Sequence, residues 1–186
     1  MRKQAVFFTL SFLLMIGSSL QESKASFSPA DPLQELAQQL KSPDDIARFI
    51  WRHFSFESDQ TQFGKEDYWQ SPSEILKTQK GDCEDFAGFA NELLKRNGKT
   101  SFLLNLYGGR YSHTVCVFKE NGRYSVIDGA NVVHYNAENL RQLVSEIYPF
   151  WQKSAIVVPS SISNRGKILA QFEKKLEAQR RLSTSV

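Results

Sequence analysis

The sequence predicts a domain of the α+β class, with separate helices and antiparallel strands, on three observations. Residues 83–94 place their apolar side chains at helical spacing. The dipeptide Asn121-Gly122, which strongly favours a two-residue hairpin, separates two strand-like segments. Hydrophobic residues make up 41% of the chain and aromatic residues 12%, which is enough to fill one core.

The first 25 residues have the pattern of a secretory signal peptide. Arg2 and Lys3 precede an apolar run over residues 5–16, and small and polar residues lead to Ala25. That run is too short for a comfortable membrane span. We therefore expect cleavage after Ala25 and an exported protein, periplasmic or secreted, with an uncleaved N-terminal anchor as the alternative. About 160 residues then remain, a usual size for a single core.

The exported chain divides into three predicted parts. Residues 26–42 form a linker and N-terminal segment, residues 43–160 form the main domain, and residues 161–186 form a basic C-terminal helix. Amphipathic spacing predicts helices near residues 33–40 and 43–54, and the second has the stronger pattern of a helix that packs on a core.

A short helix is predicted just before Gly81. Ser71 is a suitable N-cap, Pro72 occupies the first helical position and Glu74 the third. These signals predict a helix that ends near Lys77 and delivers the chain to Gly81.

The next helix begins at a cysteine. Asp82 is a suitable N-cap with Asp85 three residues later, and Asn97-Gly98 tolerates the backbone conformation that ends a helix. Cys83 then lies in the first turn, where free N–H groups and the helix dipole favour a thiolate. The carboxylates of Asp82, Glu84 and Asp85 oppose that effect, so an imidazolium nearby would have to offset them. Cys83 shares its helical face with apolar residues and is predicted to point inward: Phe86, Ala87, Ala90, Leu93 and Leu94.

The hairpin supplies a histidine and an aspartate. Its strands are predicted over residues 111–118 and 123–128. A two-residue turn sets Val115 opposite Asp128, and His113 shares the face of Val115. His113 and Asp128 are therefore diagonal neighbours within side-chain reach.

These positions predict three catalytic roles. Asp128 can accept a hydrogen bond from one ring nitrogen of His113, which leaves the other nitrogen to take the proton of Cys83. Cys83 is then the candidate nucleophile. The only other cysteine, Cys116, is predicted on the opposite face of the hairpin as a core thiol, without a disulfide to Cys83.

The remaining elements are predicted to complete the sheet and its cover. Residues 131–135 and 154–158 have strand patterns, and residues 137–147 are predicted as a helix capped by Asn136. Residues 164–182 carry apolar side chains at helical spacing together with a basic excess. We expect a helix there that rests on the domain, with attraction to an anionic membrane surface or an acidic partner as the alternative.

At these residues the chain resembles the transglutaminase-like superfamily, papain-related cysteine enzymes that use Cys, His and Asp in this order. The similarity covers about residues 46–131. Its form is most like the bacterial transglutaminase-like cysteine proteinase branch, in which periplasmic peptidases trim surface adhesins. The matching segments are Asp45-Ile46-Ala47-Arg48-Phe49-Ile50-Trp51, Tyr68-Trp69-Gln70-Ser71-Pro72-Ser73-Glu74, Gly81-Asp82-Cys83-Glu84-Asp85-Phe86-Ala87, Tyr111-Ser112-His113-Thr114-Val115 and Tyr124-Ser125-Val126-Ile127-Asp128.

The resemblance implies a papain-like, transglutaminase-like core in which the nucleophile helix packs on an antiparallel sheet. It also implies the triad Cys83, His113 and Asp128. Accessory β-sandwich domains and a calcium-regulated insert of the kind found in animal tissue transglutaminases are not expected in this chain. The expected activity is acyl transfer through a thioester, with peptide or side-chain amide bonds of a protein or peptide as substrate.

Four further residues are candidates for the site. Trp69 lines the cleft, or with Gln70 offers a side-chain N–H to an oxyanion; a packing role for Trp69 is the alternative. In some adhesin peptidases of this branch, the acids that flank the nucleophile bind calcium, and the matching residues are Asp82 and Glu84. Without EF-hand-like spacing, we favour a capping role for Asp82 and a solvated Glu84. No cofactor is expected to be required, with calcium the one metal these oxygens would suit.

Two other functions remain open from the sequence. Resolution of the acyl-enzyme by an amine instead of water would make the protein a protein-glutamine transglutaminase. A binding module that kept the fold without activity is the third reading, although all three triad positions are occupied. The charge outside the tail is balanced, and no zinc spacing, phosphate loop or basic aromatic groove is present, which disfavours nucleic acid, zinc and nucleotide ligands.

Overall fold

The computed structural model describes residues 31–108, 111–147, 151–159 and 166–173. Six helices and eight strands are present in these residues. The helices are α1 (Pro32–Gln39), α2 (Pro43–His53), α3 (Asp59–Phe63), α4 (Pro72–Thr78), α5 (Cys83–Arg96) and α6 (Leu140–Ile147). The strands are β1 (Ser55–Phe56), β2 (Lys80–Gly81), β3 (Ser101–Gly108), β4 (Tyr111–Glu120), β5 (Arg123–Asp128), β6 (Asn131–Ala137), β7 (Lys153–Pro159) and β8 (Gly166–Glu173).

Six of the strands form one antiparallel sheet in the order β6-β5-β4-β3-β7-β8. The hairpin register is the predicted one, because Cys116 pairs with Ile127 and Glu120 pairs with Arg123. Asn121 and Gly122 both have positive φ, 51° and 80°, as a tight hairpin turn requires. The two short strands, β1 and β2, pair in parallel and lead the chain into α5.

The sequence signals for the starts of α2, α4 and α5 are confirmed. Ser42 and Ser71 form capping boxes with Asp45 and Glu74 at the starts of α2 and α4. The long helix α5 begins at Cys83, as predicted.

The sheet has a hydrophobic cluster on each face. Helix α5 packs with α1, α2 and α4 on one face, where its residues Phe89 and Leu93 meet Leu103 and Phe118 of the sheet. Helix α6 covers the other face with a second cluster. Each of these fully buried side chains contributes roughly 1.5–3 kcal/mol to folding. The α+β class, with the nucleophile helix against an antiparallel sheet, is therefore confirmed.

Helix α6 starts later than predicted. The sequence pattern indicated residues 137–147 with Asn136 as the cap, but Ala137 is the last residue of β6 and the helix begins at Leu140. Asn139 provides the cap instead, because its Oδ1 accepts a hydrogen bond from the backbone N–H of Gln142 at 3.0 Å. Asn136 has φ 54°. Pairing with β5 outweighs the local helical pattern in this segment.

The predicted C-terminal helix is wrong over residues 166–173. This segment is strand β8, antiparallel to β7, and it extends the sheet beyond residue 160. Hydrogen bonds to a neighbouring strand outweigh the helical spacing of its apolar residues. The rest of the predicted helix, the predicted signal peptide and residues 26–30 of the predicted linker lie outside the described residues. Within the described ranges, the helices are too short or too polar to cross a bilayer.

Candidate active site

A cavity of about 830 Å³ lies at the start of α5. Cys83 of α5 and His113 of β4 both line it, so the fold brings these two predicted residues to one space. Its other lining side chains are of three kinds. The acidic ones are Glu66, Asp67, Asp82 and Glu84, the aromatic or aliphatic ones are Phe56, Trp69, Phe86, Tyr107 and Ile168, and the neutral polar ones are Asn105, Ser112 and Thr114.

Cys83 is partly buried, and its surroundings favour the protonated thiol. Its Sγ donates a hydrogen bond to Oε2 of Glu84 at 3.1 Å. Burial raises the pKa of the thiol, and the charge and hydrogen bond of Glu84 raise it further. The backbone amide of Thr114 acts on the sulfur in the opposite direction and lowers the pKa. The sequence predicted that nearby carboxylates and the helix terminus would have opposite effects on the pKa of Cys83. In the structure, burial and Glu84 have the largest effect, and the pKa is raised.

His113 and Asp128 form the predicted pair. The Nε2 atom of His113 lies 2.7 Å from Oδ1 of Asp128, and both side chains are 41% exposed. The hydrogen bond to Asp128 raises the pKa of His113, while burial lowers it to a smaller extent. The Asp128 contact engages Nε2 and leaves Nδ1 as the nitrogen available to a second partner.

The two cysteines have different surroundings. Cys116 is fully buried within the cluster beneath α5. Both thiols are free, as predicted, and neither is in a disulfide. Of the two, only Cys83 lines the cavity.

Gln70 does not have the predicted oxyanion role. Its side-chain Nε2 donates to the backbone oxygen of Lys80 at 2.8 Å and to Oδ2 of Asp85 at 2.7 Å. Both amide hydrogens are therefore used within the protein, and the residue is only 5% exposed. Its role is to hold the segment before α4 against the start of α5.

Trp69 lines the cavity and also packs in the buried cluster beneath α5, so two of the three roles that the sequence left open are observed together. Its indole Nε1 donates to Oδ1 of Asp67 at 2.9 Å, which occupies the hydrogen that an oxyanion would need. The ring packs against Gly166 of β8 so closely that a Cβ there would lie 2.6 Å from its Cζ2 atom. Trp69 therefore joins the cleft wall to the edge strand of the sheet.

Asp85 was indicated by the sequence only as part of a helix cap. Its carboxylate is 1% exposed and accepts hydrogen bonds from the backbone N–H of Gln70 at 2.8 Å and of Asp82 at 3.3 Å. Burial raises its pKa to about 7. A Cβ at Gly81 would collide with Oδ2 of Asp85, so only glycine fits there. Gly81, two residues before Cys83, is the feature of the sequence that could have indicated this close approach.

Carboxylates from three segments gather beside Cys83. Oxygen atoms of Asp59, Asp67 and Glu84 lie within 4.8 Å of one another, and Asp82 forms a similar group with Cys83 and Glu84. Burial raises the pKa of Asp59 to about 6 and that of Asp82 to about 7, and it also raises the pKa of Glu84. Glu84 is therefore partly buried, and the expectation that it is solvated is corrected.

The donor set of this cluster fits a hard cation such as calcium. Its possible ligand atoms are carboxylate oxygens, apart from the sulfur of Cys83. Within the described residues, Oδ1 of Asp59 and Oδ1 of Asp82 are buried without a hydrogen-bond partner. Buried carboxylate oxygens are costly unless something compensates their charge. Asp59 and Asp67 were missed in the sequence because no spacing rule connects them to the segment around Cys83.

Comparison with known proteins identifies one family and several similar structures. No curated protein sequence matches this chain. The calcium-bound form of LapG from Legionella pneumophila is similar at 20% identity, with a TM-score of 0.47 over 80% of this chain and 86% of that one. The EGTA-treated form of the same protein gives 19% identity and a TM-score of 0.43, over 74% and 88%. A proposed cysteine protease from Cytophaga hutchinsonii gives 11% identity and 0.44, over 76% and 49%. A family model described as a transglutaminase-like domain matches residues 32–148, more than half of the chain.

Proposed function

This chain belongs to the transglutaminase-like domain family, and from that premise we propose that it is a cysteine peptidase or amidase. One observation carries the proposal: a single cavity is lined by the thiol at the start of α5 and by a histidine that is hydrogen-bonded to an aspartate. Cys83 is the proposed nucleophile, His113 the acid and base, and Asp128 the residue that orients His113.

The first half of the proposed reaction forms a thioester. His113 takes the thiol proton at Nδ1, and the sulfur of Cys83 attacks the carbon of an amide carbonyl. The oxygen of that carbonyl becomes an oxyanion, which the backbone N–H of Cys83 at the start of α5 can stabilise. His113 then gives its proton to the amine, the carbon–nitrogen bond breaks, and the acyl group remains on sulfur.

Water completes the proposed cycle. His113 removes a proton from water, the resulting oxygen nucleophile attacks the thioester, and the thiol of Cys83 re-forms as the acid leaves. We favour hydrolysis over transfer to an amine because the site is open, with His113 and Asp128 both 41% exposed, and water is the most abundant acceptor at an open site. Incubation with a protein substrate and an amine probe tests this choice. Amine incorporation that exceeds cleavage would make the protein a transglutaminase instead.

The acidic cluster bears on how Cys83 becomes reactive. In this state the thiol proton faces Glu84, which holds the proton on sulfur. Asp59, Asp67, Asp82 and Glu84 would hold a calcium ion, whose positive charge would compensate these carboxylates and favour the thiolate. We propose calcium as an activator on the chemistry of this donor set.

The proposed setting follows from the sequence of the N-terminal segment. Its signal-peptide pattern supports export to the periplasm or the medium. The substrate class is a protein or peptide, since the proposed chemistry acts on amide bonds. The oligomeric state has no bearing on this proposal, because the triad residues come from one chain.

Alkylation of the two thiols tests the proposal without knowledge of the substrate. The purified exported protein is treated with iodoacetamide near pH 6, with calcium or with EGTA, and the adducts are located by mass spectrometry. We expect selective labelling of Cys83, faster with calcium and at least about tenfold slower in His113→Ala. Cys116 is the internal control. Equally slow labelling of both thiols under all conditions would indicate a binding module that lacks an activated nucleophile.

A further inference from the structure

Two large apolar side chains are exposed at the cavity. Phe56 of β1 is 73% exposed and Ile168 of β8 is 49% exposed, and both line the cavity that contains Cys83. They come from two elements that are distant in sequence. Large apolar side chains that are exposed at a cleft instead of buried in the core are a common sign of a binding surface.

Among the residues that the structure describes, the backbone N–H and C=O of Phe56 have no hydrogen-bond partner on one side of β1. The N–H groups of Ser55 and Glu57 donate to the carbonyls of Gln79 and Gly81, each at 2.9 Å. Backbone groups alternate in direction along a strand, so the N–H and C=O of Phe56 point away from β2. An extended peptide can add to this edge by main-chain hydrogen bonds. Phe56 lines the cavity that contains Cys83, so a peptide on this edge would border the same cavity.

The position of Ile168 is held by a close contact on the same strand. Gly166 lies against the ring of Trp69, and the indole N–H of Trp69 is fixed by Asp67. Pairing of Ile168 with Val157 of β7 holds the strand from the other side. The apolar surface of Ile168 is therefore anchored to the cleft wall through rigid neighbours.

We propose that Phe56 and Ile168 form a subsite for one large apolar side chain of an extended polypeptide substrate, next to the amide that Cys83 attacks. This inference rests on the proposed function and names the substrate preference of the same site. The occupant is the substrate because the two side chains share one cavity with the nucleophile. Glu66 and Asp67 on the acidic wall disfavour carboxylate side chains in the same peptide.

The test uses a matched series of thiol-reactive peptides on the exported protein with calcium chloride present. The probes are tri-alanine acyloxymethyl ketones in which each position in turn carries Leu or Ser. The sulfur of Cys83 displaces the carboxylate leaving group and forms a thioether, and His113 accepts the thiol proton. The second-order rate of modification is measured by intact mass, and iodoacetamide reports the reactivity of the thiol alone.

We expect Leu to react about tenfold faster than Ser at one of the three positions, as a single apolar contact in a pocket typically produces. Phe56→Ser and Ile168→Ser are each expected to reduce that ratio to about threefold or less. Trp51→Ser is the matched control, because Trp51 is 74% exposed but does not line the cavity. Its ratio is expected to equal that of the unchanged protein.

Three other outcomes would contradict, in turn, the subsite, its assignment to these residues and the proposed function. Equal rates for Leu and Ser at every position would overturn the subsite and leave the acyl-transfer proposal standing. A preference that survives both Phe56→Ser and Ile168→Ser would overturn the assignment to these residues. Failure of every probe and of iodoacetamide to modify Cys83 selectively would overturn the proposed function, and the subsite with it.

Discussion

The two cysteines share one side-chain chemistry and differ in almost everything around it. Cys116 lies in the middle of β4 and is fully buried among apolar side chains. Cys83 lies at the first residue of α5, where Glu84, the Thr114 backbone and the cavity meet its sulfur. Burial raises the pKa of both thiols. Burial therefore does not distinguish a candidate nucleophile from a core thiol.

What distinguishes Cys83 is a set of neighbours that can change the charge state of the sulfur. The backbone N–H of Thr114 and the helix terminus favour the thiolate, whereas Glu84 opposes it. For Cys116, burial is the largest cause of the raised pKa, and the charge of Lys95 offsets it only in part. From this difference we expect Cys83 to be the reactive thiol and Cys116 to be inert.

Replacing each cysteine in turn tests the difference between the two thiols most directly. We expect Cys83→Ala to lower the turnover of 4-nitrophenyl acetate at least about a thousandfold, because the acyl acceptor is lost. Cys116→Ala is the matched control and is expected to retain turnover within about twofold. Comparable losses in two folded variants would show that the distinction between the thiols is wrong.

The pair His113 and Asp128 provides the next largest effect. We expect His113→Ala to reduce turnover about a hundredfold or more, and Asp128→Asn about tenfold, because Asp128 acts through His113. Asp128→Asn should also move the acidic limb of the pH profile to lower pH, because His113 accepts the thiol proton only when it is deprotonated and the hydrogen bond that raises its pKa is weakened. His53→Ala and Asp44→Asn, at exposed positions, are the controls. An unchanged pH profile in Asp128→Asn would count against the proposed role of Asp128.

The acidic cluster predicts a pH dependence of stability near Cys83. Asp59 and Asp82 have raised pKa values of about 6 and 7, so the folded protein binds protons that the unfolded chain has already released. Without a cation, the free energy of unfolding should fall as pH rises from about 4 to 7.

Calcium should reverse this loss. We expect the increase in Tm on replacing EDTA with calcium to be several degrees at pH 8 and smaller at pH 5, because protonated acids bind the ion poorly. Asp82→Asn should reduce the calcium effect at pH 8, and Asp44→Asn should not. A calcium-induced shift of equal size at both pH values would contradict a cluster with raised pKa values.

The smallest effect concerns the core thiol. Cys116→Ala is expected to lower the free energy of unfolding by about 1 kcal/mol, because it leaves a small cavity beneath α5. For a domain of this size that corresponds to a fall in Tm of about 2–4 °C. Urea denaturation provides the measurement, with Cys83→Ala as the comparison. A larger loss of stability in Cys83→Ala would show that the thiol at the cavity has the greater packing role.

Local sequence signals were sufficient to predict α4, α5 and the hairpin of β4 and β5, whose geometry depends on residues close together along the chain. The caps at Ser71 and Asp82 located α4 and α5, and Asn121-Gly122 set the register that brings Asp128 to His113. Both the period of a helix and the register of a tight hairpin depend on residues close in sequence. The sequence alone was therefore enough to name the three triad candidates.

Contacts between residues that are distant in sequence could be identified only from the tertiary structure. Residues 166–173 have helical spacing, yet the free edge of β7 makes them a strand, because a neighbouring strand supplies hydrogen bonds that spacing does not reveal. Asp59 and Asp67 meet Glu84 only because separate loops converge beside α5. The sequence by itself thus determined the helix, the hairpin and the Cys-His-Asp candidates, which rest on short-range geometry. The tertiary structure decided the edge strand, the acidic cluster and the tie between Gln70 and Asp85, since contacts between distant segments leave no periodic pattern in the chain.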